Sequence, residues 1–471
     1  MRGRFAVAIL VIAASACDRD RAPPRVGCPP ETSAAPSPEP AALRHVLMIS
    51  IDGLRPGDLD DGAHPLPALR GLVANGAHAR AMRGTWPTVT YPAHTTLVTG
   101  ASPARHGILA NGPFDPFEKN EGGWYWYASD IRVPTLWDVA ADAHLSVANV
   151  TWPVTVGARI PYNVPQYWRS KVEEDEKLFD AISTPGLWSE IAHANKPPGE
   201  HRDDRARADA AIHLLRTRRP RLSLVYLADL DTKQHEGGPM SRVAWETLEK
   251  TDVFVGEIVT AALEAMPRLT VAIVSDHGFA AIDTEVRPNV ALRRAGFLRS
   301  YTKRRDGRTE EVLASYDAVS WRSGATVAIM GREGRAEPTA SRVRSLFHDL
   351  ARDPQNHIGA VIDGERVEAE GGLPGAIVVL QGAPGATFSE RYDEPMIAPS
   401  TSKGQHGWGP DMPEMAATFV LWGDGVRPGS IGDVDMIDVG PTIASLLGLT
   451  LPAAEGHPLV RALLPADATR K

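Results

Sequence analysis

Three apolar runs in this 471-residue chain end on carboxylates or imidazoles. HVLMISI (His45–Ile51) runs into Asp52-Gly53. RLSLVYLA (221–228) runs into Asp229-Leu230-Asp231, and LTVAIV (Leu269–Val274) into Ser275-Asp276-His277-Gly278. A run that is apolar throughout, rather than at alternate positions, reads as a strand covered on both faces, as in a parallel sheet between helices. Sites in such sheets lie beyond the carboxyl ends of the strands. The expected fold is therefore α/β, a mostly parallel sheet flanked by helices. Amphipathic stretches at 66–75, 133–143 and 243–266 supply helices. ATFVLWG (417–423) reads as another strand and 438–446 as a helix.

The first residues do not belong to this fold. Arg2 and Arg4 precede the apolar stretch FAVAILVIA (5–13), which is too short to span a bilayer, then Ala14-Ser15-Ala16 and Cys17. This pattern reads as a signal peptide over 1–16, and small residues before Cys17 resemble a bacterial lipobox, implying a lipidated Cys17. The competing reading is an ordinary signal peptidase site with Cys17 incidental. Residues 17–42 are Pro-rich and read as an extended tether holding Cys28. An exported protein in the periplasm or cell envelope, membrane-anchored through Cys17, follows. Net charge −8 gives no basic face for a nucleic acid polymer, and two Cys exclude a disulfide framework. The catalytic core is expected over 43–285 and 401–450. Residues 286–400, with short mixed segments and charged loops, read as an inserted α+β cap, and 451–471 as a C-terminal tail.

Six acids and histidines stand at strand ends or in Gly-flanked turns: Asp52, Asp231, His235, Asp276, His277 and His406. Singly, each reads as a turn or cap residue. Together, at one sheet edge, they would fill two metal sites with open positions, and mixed carboxylate and imidazole ligands suit Zn²⁺. In TWPTVTYPAHTTLVTG (85–100), Pro92 and the following pattern place Thr90 just before a helix N-terminus, where backbone N–H groups attract phosphate. Locally, Thr90 reads first as an N-cap. Its hydroxyl becomes a nucleophile only if a metal or base activates it.

The ordered motifs VLMISIDGLRPGDL, PTVTYPAH, TTLVTG with ASPARHGILAN, DLDTKQHEGGP, VSDHG and GQHGWGPDMPEM resemble those of nucleotide pyrophosphatase/phosphodiesterases, in the alkaline phosphatase superfamily. The resemblance spans about 43–450 and is weaker in 114–220 and 285–400. It implies an alkaline-phosphatase-like fold and two Zn²⁺ per chain. Asp52, Thr90, Asp276 and His277 would hold one ion; Asp231, His235 and His406 would hold the other. It further implies a phospho-threonine intermediate on Thr90, an Asn111 amide that donates to a phosphate oxygen, and a Tyr91 ring that packs on the leaving group or base. Asp229 stands where relatives often carry Glu and takes no catalytic role; His94 and His106 read as structural. Trp152-Pro153 resembles a family segment near the substrate rim.

The run Trp124-Tyr125-Trp126-Tyr127 is either a loop lining the leaving-group pocket or a strand alternating core and surface aromatics. A small phosphodiester or nucleotide substrate is the first reading. A phosphomonoesterase, a phosphonoacetate hydrolase and a non-catalytic surface lipoprotein are the alternatives. Between Asn111 and Asp231 no Lys-x-Arg pair meets the extra charge of a monoester, and a sulfatase would need a Cys or Ser in a CxPxR-like stretch that the chain lacks.

Overall fold

The structure, a computed structural model, describes residues 44–120, 123–167, 173–194, 203–305 and 308–465. The leader, the tether, Cys17 and Cys28 lie outside the described residues. The strands that organise the fold are β1 (His45–Ile51), β2 (Ala77–His78), β3 (Val147–Val150), β4 (Tyr162–Val164), β5 (Leu222–Leu227), β6 (Leu269–Val274), β7 (Ala318–Ser323), β8 (Thr326–Gly331), β9 (Ile358–Asp363), β10 (Ala376–Gly382), β11 (Phe419–Gly423) and β12 (Gly429–Ser430). The main sheet has eight strands in the order β12-β2-β11-β6-β1-β5-β3-β4. β1 pairs parallel with both β5 and β6, and β11 pairs antiparallel with β6. The sheet is thus mixed but mostly parallel, as the apolar runs require.

β1 shows why those runs are continuous. Leu47, Ile49 and Ile51 face one core, under the helices α1 (Pro67–Asn75), α3 (Asp204–Arg218) and α5 (Arg242–Ala265). Val46 and Met48 face a second core, which includes α2 (Thr90–Thr99) and α6 (Val439–Leu446). Burying each such side chain contributes ~1.5–3 kcal/mol, and both faces of the strand collect it. The registers Ile51↔Leu227 and Ser50↔Val274 align the carboxyl ends of the three central strands. The next residues of each chain segment therefore emerge together. After β5 the chain turns into α4 (Asp229–Gly237), which carries Asp231 and His235 one turn apart. The carboxylate of Asp204, at the start of α3, accepts the Ala228 and Asp229 N–H groups and so fixes the entry to α4.

Within 286–400 a second sheet, β7-β8-β10-β9, packs on the helix Thr339–Ala351 around its own core. VLASYDAVSW divides between two strands at Asp317. Residues 451–465 are not a free tail: Leu451, Leu459 and Ala462 are buried in the main core. Among the described residues no helix is long and apolar enough to cross a membrane.

His106 is a structural histidine with a pH consequence. It is fully buried, and the Ile108 N–H donates to its Nδ1 at 3.1 Å, leaving Nε2–H to face Thr96 Oγ1 at 3.1 Å. Burial pushes its pKa from 6.5 down to about 3. Between those values the unfolded chain binds a proton that the native ring refuses, so stability falls as pH falls, by ~1.4 kcal/mol per pH unit from this group. Equilibrium unfolding measured from about pH 6.5 to 4 should show a shallower loss for His106→Gln than for the parent chain; parallel slopes would remove this role.

Candidate active site

The carboxyl ends of β1, β5 and β6 deliver Asp52, Asp231, Asp276 and His277 to one place, and His406 arrives from the short strand Gly404–Gln405. His277 Nε2 lies 3.4 Å from Asp52 Oδ1, 3.2 Å from Asp276 Oδ2 and 3.5 Å from Thr90 Oγ1. Asp231 Oδ1 lies 3.5 Å from His235 Nε2 and 3.7 Å from His406 Nε2. The His277 and His406 rings stack at 3.7 Å, joining the two groups. Their ligand atoms form two clusters, Asp52/Asp276/His277 and Asp231/His277/His406, each within 4.8 Å. His277 thus borders both groups, and His235 approaches through Asp231.

The hydrogen bonds around these rings decide what lies between them. Nδ1 of His235, His277 and His406 meets the carbonyls of Gly404, Gly278 and Thr88 at 2.9, 3.1 and 3.1 Å. A carbonyl only accepts, so each Nδ1 carries a proton and each ring turns its Nε2 toward the carboxylates. The facing oxygens, Asp52 Oδ1, Asp231 Oδ1 and Asp276 Oδ2, are buried and have no hydrogen-bond partner. Unpartnered carboxylate oxygens gathered in a buried site call for a cation, and the pattern of ring Nδ1–H to backbone carbonyl is that of metal-bound histidine. The donor set fits divalent zinc.

Electrostatics agree. Burial, with repulsion from Asp231 and Asp276, pushes the Asp52 carboxyl well above the usual range, and burial raises Asp231 too. Burial acts likewise on Asp276, but His277 and His94 outweigh it and hold that group low. Burial and the neighbouring imidazoles keep His406 well below its ordinary value. Remaining acceptor positions are occupied: Tyr226 Oη donates to Asp52 Oδ2, and the Gly53 and His277 N–H groups donate to Asp276 Oδ1 at 3.2 and 3.1 Å.

Thr90 is the first residue of α2, with Val89 before it, and its side chain makes no capping bond. The Asn111 side-chain oxygen accepts the Tyr91 N–H at 2.9 Å, leaving the amide NH₂ as the donor end. His94 lies beneath: its Nδ1 donates to the Thr90 carbonyl at 2.8 Å and its Nε2 meets Ser50 Oγ at 2.9 Å. A cavity of about 730 Å³ opens over Thr90, Asn111, Asp231, His235 and His406.

Two expectations fail. Tyr91 is fully buried and does not line the cavity; its ring packs edge-on against Trp124 at 5.1 Å and Trp126 at 5.9 Å. Following Thr90 by one helical residue turns it some 100° away, into the core. Trp124, in an irregular loop rather than a strand, lines the cavity instead. Trp152 is not at a rim either: it is fully buried and meets His94 edge-on at 4.9 Å. Sequence reasoning also missed Tyr226, hidden inside an apolar strand, and the cavity residues Phe114, Trp321, Arg322 and Glu390, which no local motif marks.

Residues 46–409 match the family model for type I phosphodiesterase / nucleotide pyrophosphatase. Ectonucleotide pyrophosphatase/phosphodiesterase family member 3 of Rattus norvegicus is 25% identical over 248 residues, covering 50% of this chain and 24% of that protein. Venom phosphodiesterase of Naja atra is 25% identical over 260 residues, covering 53% of this chain and 28% of that protein. The chain thus spans about a quarter of the length of these curated relatives. Among solved structures, murine ectonucleotide pyrophosphatase/phosphodiesterase 5 superposes with a TM-score of 0.60 at 19% identity, over 88% of this chain and 97% of that one. An inactive variant of the same protein, in complex with AMP, gives 0.59 at 18% identity, over 89% and 100%. With the family model matched from the first central strand to the loop that follows His406, the chain belongs to the type I phosphodiesterase / nucleotide pyrophosphatase family.

Proposed function

We propose that the protein is a metal-dependent hydrolase of phosphodiester or pyrophosphate bonds, with nucleotides or small phosphodiesters as substrates. The carrying observation is the set of orphaned buried oxygens on Asp52, Asp231 and Asp276, facing imidazole Nε2 atoms beside Thr90 Oγ1. Asp52, Asp276, His277 and Thr90 would hold one Zn²⁺, and Asp231, His235 and His406 a second. Two such ions supply Lewis acidity to a phosphoryl group and lower the pKa of a bound hydroxyl or water. Two divalent charges outweigh the three carboxylates, so the loaded site attracts an anion. The murine structural neighbour is in complex with AMP, itself a nucleotide.

In this reading the Thr90 hydroxyl gives its proton to solvent and its Oγ1 bonds to phosphorus while the bond to the leaving oxygen breaks, that oxygen departing with the electron pair. Water then cleaves the phospho-threonine and returns the hydroxyl. The N-terminus of α2 and the Asn111 amide offer donors to the phosphoryl oxygens as charge builds. His94, bonded to the Thr90 carbonyl, fixes the backbone that carries the nucleophile. Trp124 provides the aromatic wall for the organic group. Export and anchoring through a lipidated Cys17 complete the proposal, on the strength of the N-terminal sequence; Cys17→Ser should move the enzyme from the membrane to the soluble fraction, and an unchanged distribution would remove the anchor.

Elemental analysis should find about two zinc ions per chain. Chelation should abolish hydrolysis, and zinc should restore it. His406→Ala should lose one equivalent; full activity in rigorously metal-free protein would overturn the proposal.

Thr90→Ala should keep the metals and fold but lose turnover on the order of a thousandfold, about 4 kcal/mol of barrier. Rates near those of the parent would mean that water attacks directly. Comparing nitrophenyl phosphodiester with the matching monoester separates this reading from a phosphatase: kcat/KM should favour the diester, and a tenfold preference for the monoester would reverse the assignment.

A further inference from the structure

Among the described residues one cation lines the cavity without an ion pair. Residues 320–324, at the end of β7, form part of the cavity wall. Trp321 and Ser323 are buried, whereas Arg322 is exposed where it lines the cavity. Its backbone is fixed, since the Arg322 N–H donates to Glu390 Oε1 at 3.0 Å. Its guanidinium, among the described residues, makes neither an ion pair nor a hydrogen bond. It is also the sole Lys or Arg among the described residues that line the cavity.

An idle guanidinium beside a phosphoryl-transfer centre has a chemical reading. The metals and Asn111 serve the phosphoryl group that is transferred. A nitrophenyl or alcohol leaving group needs nothing more than the aromatic wall. A leaving group that is itself a phosphate carries a further anion past the metals, and guanidinium binds phosphate oxygens bidentately. Asp115 and Glu118 line the same cavity and repel anions placed beside them. A second anion in this cavity is therefore favoured beside Arg322.

We infer that Arg322 is the receptor for a second phosphoryl group joined directly to the one transferred, which selects diphosphate-linked substrates. The inference rests on the hydrolase reading above. In such a substrate the bond between the transferred phosphorus and the bridging oxygen breaks, and the leaving phosphate departs with that oxygen and its charge.

The test compares two substrates that share one nucleoside monophosphate: its p-nitrophenyl ester and the matching nucleoside triphosphate, cleaved to monophosphate and diphosphate. In the zinc-loaded full chain, Arg322→Ala should lower the triphosphate-to-ester ratio of kcat/KM about tenfold, through KM, at unchanged zinc content. Arg322→Lys should recover part of the ratio. A ratio within twofold of the parent, or a fall that Lys does not relieve, would overturn the role of Arg322. Absence of hydrolysis of either substrate by the parent chain would instead overturn the hydrolase reading beneath it.

Discussion

Like charge held at close range is the constraint on which this molecule turns. Asp52, Asp231 and Asp276 are gathered in one buried cluster, where each charge removed from water costs several kcal/mol unless it is compensated. No Lys or Arg side chain pairs with them among the described residues; only imidazoles approach. The rest of the fold can be understood as what holds these groups in place against repulsion. Three parallel strands, packed on both faces, fix the Cα positions of the acids. Tyr226 and the Gly53 and His277 N–H groups hold one oxygen of Asp52 and of Asp276. The oxygens left over point inward, which leaves the charge to be balanced by something the chain does not itself supply.

That arrangement explains what could be read from the sequence. A strand buried on both faces must be apolar at every position, so β1, β5 and β6 announce themselves. A site beyond their carboxyl ends must place its ligands immediately after them, and Asp52, Asp231, Asp276 and His277 stand there. His406 was legible only through its Gly-flanked motif. The groups that complete the site follow no such rule. Tyr226 lies inside β5, where one aromatic among apolar residues looks like core, yet its hydroxyl reaches the adjacent strand's Asp52. Arg322 lies in an insertion whose strand joins the cavity only through tertiary packing. Tyr91 misled for the opposite reason: adjacency to Thr90 in sequence suggested adjacency in space, but a helix turns successive side chains away from each other.

His406 shows how the second sheet enters the chemistry. Gly324, at φ +66, lets the end of β7 pass against the His406 backbone, and a Cβ there would lie 2.3 Å from the His406 carbonyl oxygen. Gly407, at φ +99, meets the Ser323 carbonyl in the same close crossing. The Ala325 N–H donates to the His406 carbonyl at 2.9 Å. A side chain at either glycine would therefore separate the two backbones and move the imidazole with them.

The same crossing joins the proposed metal site to the proposed substrate contact. The turn that supports His406 follows the strand that presents Arg322, with two residues between Arg322 and Ala325. A shift of this segment would thus alter the placement of His406 and of Arg322 together. Loops that carry only specificity can vary without cost to the reaction, but this one cannot. If Arg322 distinguishes one leaving group from another, it does so from an element that also positions His406, so changes at 320–324 should be limited to side chains that leave the backbone crossing intact.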